Sequence, residues 1–285
     1  MTRNKSLAVV FILALVIVNM GFKPAPAASQ TRQIVDNMLT AIAKHQGVSF
    51  VMDATERIVG KPAENNQMEM FTRVNINPLK IYGKVLKDPN KGTQLVYVTG
   101  EHDNKIRVKS GWLPALNLSP TSSLLTKNQH HTLLTSGFMI VHKIVSDGIK
   151  RADGRGKFDE VFKYAGDVVY QKHNCYKILI DDPTYAYTTA VGQKGETVVT
   201  MARRLLVSEY HIMELNPSAR NLDDDVSGKT LKVPSSYAKK TTLYIDKATN
   251  FPIYQEMSDE KGVYEKYEYT DVVINPAFKA DDFSL

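Results

Sequence analysis

The residues of this chain that could ligate a metal or run acid–base or nucleophilic chemistry are seven histidines, a single cysteine and a few acidic pairs. Zinc ligands sit at short, set spacings, and no such pattern stands out. His130 and His131 are adjacent, and at the helix start expected there neighbouring side chains point about 100° apart, so they do not chelate together simply. His211 falls inside an expected helix, and His45, His102, His142 and His173 are isolated, so all seven read as solvated. Asp223-Asp224-Asp225 lacks the alternating ligands and closing glutamate of a calcium loop. No serine stands in a G-x-S-x-G context. Asp181-Asp182 and Asp246 could supply paired carboxylates, but nothing in the spacing sets them at a glycosidase separation. Cys175 lies in the strand-like run Asn174–Ile180 without a histidine–acid signature, which reads as a buried, inert thiol. No enzyme, metal or cofactor is expected.

The elements around these residues are more informative. Tyr187 to Val191 reads as a short strand, and Thr197 can cap a helix in which Val198, Met201, Ala202 and Leu205 recur at helical spacing. Ser208 offers a second N-cap, and Val207 and Ile212 sit where a hydrophobic staple would pair them. That helix must end near Asn216, because a residue before proline is pushed out of the α region. Gly228 to Pro234 closes the unit with a second strand. The order is strand, helix, helix, strand.

These residues resemble a LysM domain, a module that holds N-acetylglucosamine polymers such as peptidoglycan. The features are Gly195-Glu196-Thr197, Val199 to Arg203, Val207-Ser208, Leu215-Asn216-Pro217 and Gly228 to Pro234. Two departures stand out: a first turn one residue longer, through Gly192, and Leu206 where a glycine often ends the first helix. A residue with a Cβ is disfavoured at positive φ. By resemblance, glycan contacts fall on Gly195, Glu196, Thr197 and Val198 and on Asn221, Leu222 and Val226. A degenerate copy kept for packing is the alternative.

The formal charge of +6 is halved without Arg3, Lys5 and Lys23, which leaves no footprint for nucleic acid. Residues 1–27 read as a signal peptide, with a positive start, the apolar run Leu7 to Val18 and an Ala25-Pro26-Ala27 cleavage site. The run is short for a membrane span, which needs roughly 20 residues. With no cysteine beside the site, no lipid anchor is expected there. The expected address is the bacterial periplasm or cell envelope.

The mature chain opens with a helix from about Ser29 to Gln46, with Ile34, Met38, Leu39 and Ile42 on one stripe. Strands are expected at Val48 to Asp53, Glu69 to Ile76, Lys80 to Leu86, Gln94 to Val98 and Lys105 to Val108. The alternation of Ile106 and Val108 with Arg107 and Lys109 marks a half-buried antiparallel strand. Trp112 to Leu116 reads as an apolar flap. A second helix is expected from Asn128 to Lys150. Strands resume at Asp167 to Lys172 and Cys175 to Ile180, and hairpins follow the insert from Thr241 to Ile274. The fold class is α+β: a curved antiparallel sheet covered by helices, with a small βααβ insert. Residues 28–183 and 238–285 form the host and 184–237 the inserted domain.

The hairpins from Leu243 to Tyr254, with Gly262, Tyr267-Glu268-Tyr269, Asn275 and Phe283, are similar to the carboxyl half of LolA/LppX-like lipoprotein carriers. The resemblance implies an incomplete β-barrel that holds acyl chains under its helices. The stripes and period-two faces then make Ile34, Met38, Ile42, Leu95, Tyr97, Phe138, Tyr176, Ile178 and Ile180 the expected lining. The expected partners are peptidoglycan and a lipid, lipoprotein or other hydrophobic ligand, with the chain a monomer. Two alternatives stay open, a peptidoglycan-targeted hydrolase and a structural protein whose core is filled by its own side chains.

Overall fold

The computed structural model describes residues 28–285, so the leader expected over residues 1–27 lies outside the described residues. Helix α1 (Gln30–Lys44) is capped by Ser29, whose hydroxyl accepts from the Arg32 N–H. Six strands follow: β1 (Gly47–Ile58), β2 (Lys61–Asn75), β3 (Lys80–Val85), β4 (Gln94–Val98), β5 (Ile106–Lys109) and β6 (Leu116–Leu118). Then come α2 (Ser123–Thr126), α3 (Met139–Gly154), α4 (Phe158–Val161), β7 (Phe162–Tyr170) and β8 (His173–Asp181). The insert contributes β9 (Tyr187–Val191), α5 (Val198–Leu205), α6 (Glu209–Leu215) and β10 (Thr230–Pro234). The chain closes with β11 (Lys240–Asp246), β12 (Pro252–Asp259) and β13 (Gly262–Ile274).

Eleven strands form one open sheet in the order β6-β5-β4-β3-β2-β1-β13-β12-β11-β8-β7, and every ladder in it is antiparallel. The strands β8 and β11 that flank the insert are themselves paired, Asp181 opposite Lys240. The insert therefore leaves and re-enters the sheet at one place, its connectors joined by the Ser235 N–H donating to the Ala186 carbonyl at 2.8 Å.

One end of the concave face is solid. Ile34, Val35, Met38 and Ile42 of α1, with Phe138, Val141 and Val145, pack on Val48, Phe50, Val74, Ile81, Ile178 and Leu243. The Phe138 ring lies against Phe50, Phe251 and Tyr269. On the opposite face of the sheet, a 3₁₀ turn at Ala280–Phe283 lies on β3 and β4, pinned by an Arg73–Asp282 ion pair of 3.1 Å.

Three elements differ from the sequence reading. Strand β2 begins at Lys61 and pairs with an extended β1, where only Glu69 to Ile76 had apolar alternation. The exposed Lys61–Gln67 half carries no hydrophobic pattern because neither of its faces is buried. The helix expected from Asn128 begins at Met139 instead. Asn128 and Gly137 take positive φ, which breaks a helix, and the run between them holds only a 3₁₀ turn at Leu133–Thr135, with His130 and Thr132 buried before it. The βααβ order of the insert matches expectation, with Thr197 accepting from the Thr200 N–H as the cap of α5. Ser208 stands at the N-cap of α6 as expected, but its hydroxyl makes no capping bond and donates instead to Glu265 Oε1 at 3.1 Å.

Candidate binding cavity and its polar end

The other end of the concave face is not filled. A cavity of about 370 Å³ lies between the sheet, the segment before α3 and the outer side of α3. Its wall follows the register of the sheet. Met52 faces Met70 across β1 and β2, and Met70 faces Val85 on β3. A second row crosses the edge of the sheet, with Leu95 opposite Val108 and Val108 opposite Leu116. Gly83, opposite Leu95, makes room for the wall: a Cβ there would come within 2.9 Å of Met70 Sδ. Leu125, Leu133, Ile140 and Ile144 roof the space. Four of the chain's ten methionines line it, which gives the wall a soft, adaptable surface.

The mouth is apolar and open. Leu116 and Leu124 line the cavity and remain 57% and 76% exposed. Beyond them the β5–β6 connection, expected as a flap, carries Trp112 at 91% exposure.

The inner end is polar. Glu56, His131, Tyr237 and Tyr267 all reach the wall. Tyr267 Oη donates to Glu56 Oε1 at 2.7 Å, and the His130 backbone N–H donates to Glu56 Oε2 at 2.9 Å. His131 Nε2 lies 2.9 Å from Tyr237 Oη, which donates in turn to Glu265 Oε2 at 2.8 Å. His131 Nδ1 lies 3.0 Å from Glu209 of α6, off the line of a good hydrogen bond. Burial by itself would lower both imidazolium pKa values, but the carboxylates outweigh it. Glu56 and Glu265 raise His130, and Glu209 and Glu265 hold His131 well above the ordinary range. Burial would raise Glu265, yet His131 and His130 hold it well below the usual carboxylate range. Tyr237 and Tyr267 are pushed well up, by burial first and then by Glu265.

This polar end is shared with the insert. His130 stacks on Tyr210 of α6 at 4.4 Å between ring centroids, and Tyr210 stacks on Tyr264 of β13 at 5.6 Å. Next to them Arg57 and Asp259 form a buried bidentate pair at 2.9 and 3.2 Å, with His211 Nε2 3.3 Å from the same carboxylate. Burial opposes ionisation of Asp259, but His211 and Arg57 hold its carboxyl far down.

The expectation of seven solvated histidines is therefore corrected at four of them. His45, His130 and His211 are buried, and His131 is almost so. Their partners come from strands far away in sequence, and no local spacing announces them. Cys175 is a buried, free thiol, its pKa pushed up to about 11 by burial.

Of the expected lining, Leu95 is on the cavity wall. Ile34, Met38, Ile42, Tyr97, Phe138 and Ile178 belong to the filled core instead, because α1 and α3 close directly onto them. Tyr176 packs beside that core, and Ile180 lines a separate gap of about 40 Å³ behind α3. In the insert, the two loops named as glycan contacts lie side by side. Val198 N–H donates to the Asp224 carbonyl, Val199 N–H to Leu222 and Val226 N–H to Glu196, at 2.9 to 3.1 Å. Val198, Leu222 and Val226 are buried, backbone included, in the insert's own core, so they offer a glycan no direct contact. Glu196 is held by Arg204 at 2.5 and 2.7 Å, while Gly195 and Asn221 are exposed and Thr197 half-buried. Among the described residues, no group of three or more His, Cys, Asp or Glu side chains is arranged to hold a metal ion.

A family model described as a protein of unknown function, DUF1571, matches residues 45–163, less than half of the chain. No curated protein matches. Solved structures that resemble this one include the Mycobacterium tuberculosis lipoprotein LppX, at 13% identity and a TM-score of 0.40, over 87% of this chain and 97% of that one. LprF from Mycobacterium bovis is 10% identical with a TM-score of 0.41, over 88% and 96%. A LolA superfamily protein from Nitrosomonas europaea is 7% identical with a TM-score of 0.31, over 90% and 99%.

Proposed function

We propose that the protein is a non-catalytic binding protein of the cell envelope. The host sheet holds the apolar part of a lipid, lipoprotein or similar ligand, and the insert holds the protein to peptidoglycan. The observation that carries the first half is the cavity. Its volume of about 370 Å³ falls in the range of small-molecule sites, roughly 300–1,000 Å³, and its mostly apolar wall with a few convergent polar groups is the form such sites take. An exposed run of large apolar side chains at its mouth is the kind of surface that marks a binding site.

The second half rests on the paired loops at Gly195–Val198 and Asn221–Val226, where the exposed Gly195 and Asn221 and the half-buried Thr197 would meet the sugar. One small module binds weakly, since little area is buried and the glycan must be ordered. Two assays test the two halves. A neutral apolar dye, N-phenylnaphthylamine, is expected to brighten on binding the parent protein and not the Val108→Trp variant. The whole chain is expected to sediment with insoluble peptidoglycan at low salt. A dye signal equal in both proteins removes the cavity from the reading, and protein left in the supernatant removes the glycan.

A further inference from the structure

The polar end of the cavity selects the kind of head that a bound amphiphile carries, an inference that rests on the cavity being a ligand site. The two hydroxyl donors beside the acids on that wall are already committed. Tyr267 Oη donates to Glu56, and Tyr237 Oη to Glu265. His131 Nε2 faces the Tyr237 oxygen at 2.9 Å, and its Nδ1 faces Glu209 at 3.0 Å. The Arg203 guanidinium, on the exposed side of the insert, donates to Thr132 Oγ1 over 3.2 Å and is not on the wall.

At Glu56, open acceptors remain. Glu56 receives one donor on each oxygen, and a carboxylate has about four acceptor sites, so each oxygen keeps one open. The local charge points the same way. Three buried carboxylates, Glu56, Glu209 and Glu265, face two imidazoles, His130 and His131, so the cluster is negative even with both rings protonated. A second anion placed against Glu56 would sit beside like charge in a desolvated site, where repulsion is far stronger than in water.

We infer that the cavity takes an amphiphile whose head donates hydrogen bonds, a hydroxyl or an ammonium, and discriminates against an anionic head of the same chain length. In that arrangement the head lies against Glu56 and the chain runs past Met70 and Leu95 to the leucines at the mouth.

The test compares dodecanol, dodecylamine and dodecanoate as competitors for N-phenylnaphthylamine on the intact protein near neutral pH. The alcohol and the amine are expected to displace the dye at concentrations at least about tenfold lower than the carboxylate does. In Glu56→Gln that gap is expected to narrow, with the amine losing most. Dodecanoate binding as well as dodecanol to the parent protein would overturn the inference while leaving the cavity a ligand site. Should none of the three displace bound dye, the inference fails. Should the dye itself not bind, the reading of the cavity fails and this inference with it. The comparison on the parent protein decides the matter even where Glu56→Gln does not fold.

Discussion

Glu56 of β1 and Glu265 of β13 stand directly opposite one another across the sheet, both buried. One residue serves both: the His130 backbone N–H donates to Glu56, and His130 Nδ1 lies 2.9 Å from Glu265 Oε1. Like charges placed opposite each other on neighbouring strands repel, and His130 between them, with the hydroxyls of Tyr267, Tyr237 and Ser208, offsets that repulsion. Replacing His130 with Ala removes the ring from Glu265 and from its stack on Tyr210. The expected cost is about 3–5 kcal/mol, the range for breaking a buried ion pair by deleting one partner. Urea unfolding measures it, and a cost typical of a surface substitution would contradict the arrangement.

The same cluster sets the pH dependence of stability. His130 and His131 have folded pKa values raised above the ordinary 6.5, so their contribution is fully present below that value and is lost as pH rises through the raised folded values. Glu265 is depressed below its ordinary 4.5, so its contribution is present above that value and is lost as pH falls below it. Stability is expected to be greatest between these limits and to decline on the alkaline side. Thermal unfolding across pH measures this, and His131→Asn should flatten the alkaline decline. A profile for the variant that overlays the parent's would contradict the assignment.

Host and insert are expected to unfold together. Ser208, Glu209, Tyr210 and His211 of the insert are all buried against host residues or their own module, and three of them meet Glu265, His131 and Asp259 of the host. Excision of Tyr187 to Pro234 would leave those buried charges short of partners, and the remaining sheet is expected to unfold at lower denaturant. Tyr210→Ala is expected to cost about 3–5 kcal/mol, as large aromatic truncations do. Two separate transitions in the parent protein would show the modules to be independent.

Gly192 tests the insert's first turn, the one longer than the LysM pattern. A Cβ at this position would lie 1.9 Å from the Val226 carbonyl oxygen, so only glycine lets the two glycan-loop candidates close on each other. Gly192→Ala is expected to displace the Val226 segment and to weaken sedimentation with peptidoglycan while the host stays folded. Sedimentation equal to the parent's would separate glycan binding from this loop pair.

Much of the architecture was legible before any coordinates. The alternation of Ile106, Arg107, Val108 and Lys109 marks a half-buried antiparallel strand, and the insert's turns and helical spacing mark its four elements in order. Leu206, which stands where the LysM pattern often has glycine, takes left-handed backbone at φ 53°. The cavity could not be placed in this way. The stripe of Ile34, Met38 and Ile42 looks the same whether it meets a sheet or an open space, and here it meets the sheet. The residues that do line the cavity, such as Met70 and Val108, are set by register across the six strands β1 to β6, which periodicity within one strand does not carry. Nor could local spacing show that His130 is buried, since its acidic partners lie 74 and 135 residues away.

The central claim is that the space beside Leu95 holds an apolar ligand, and native mass spectrometry tests it most directly. The intact protein would be incubated with a bacterial lipid extract, separated from free lipid and sprayed beside a Leu95→Trp variant, whose indole would fill the cavity at a half-buried position. The parent is expected to carry a lipid adduct that the variant lacks, with both proteins equally folded by circular dichroism. A parent protein free of adduct, or an adduct of equal abundance on the variant, would contradict the claim.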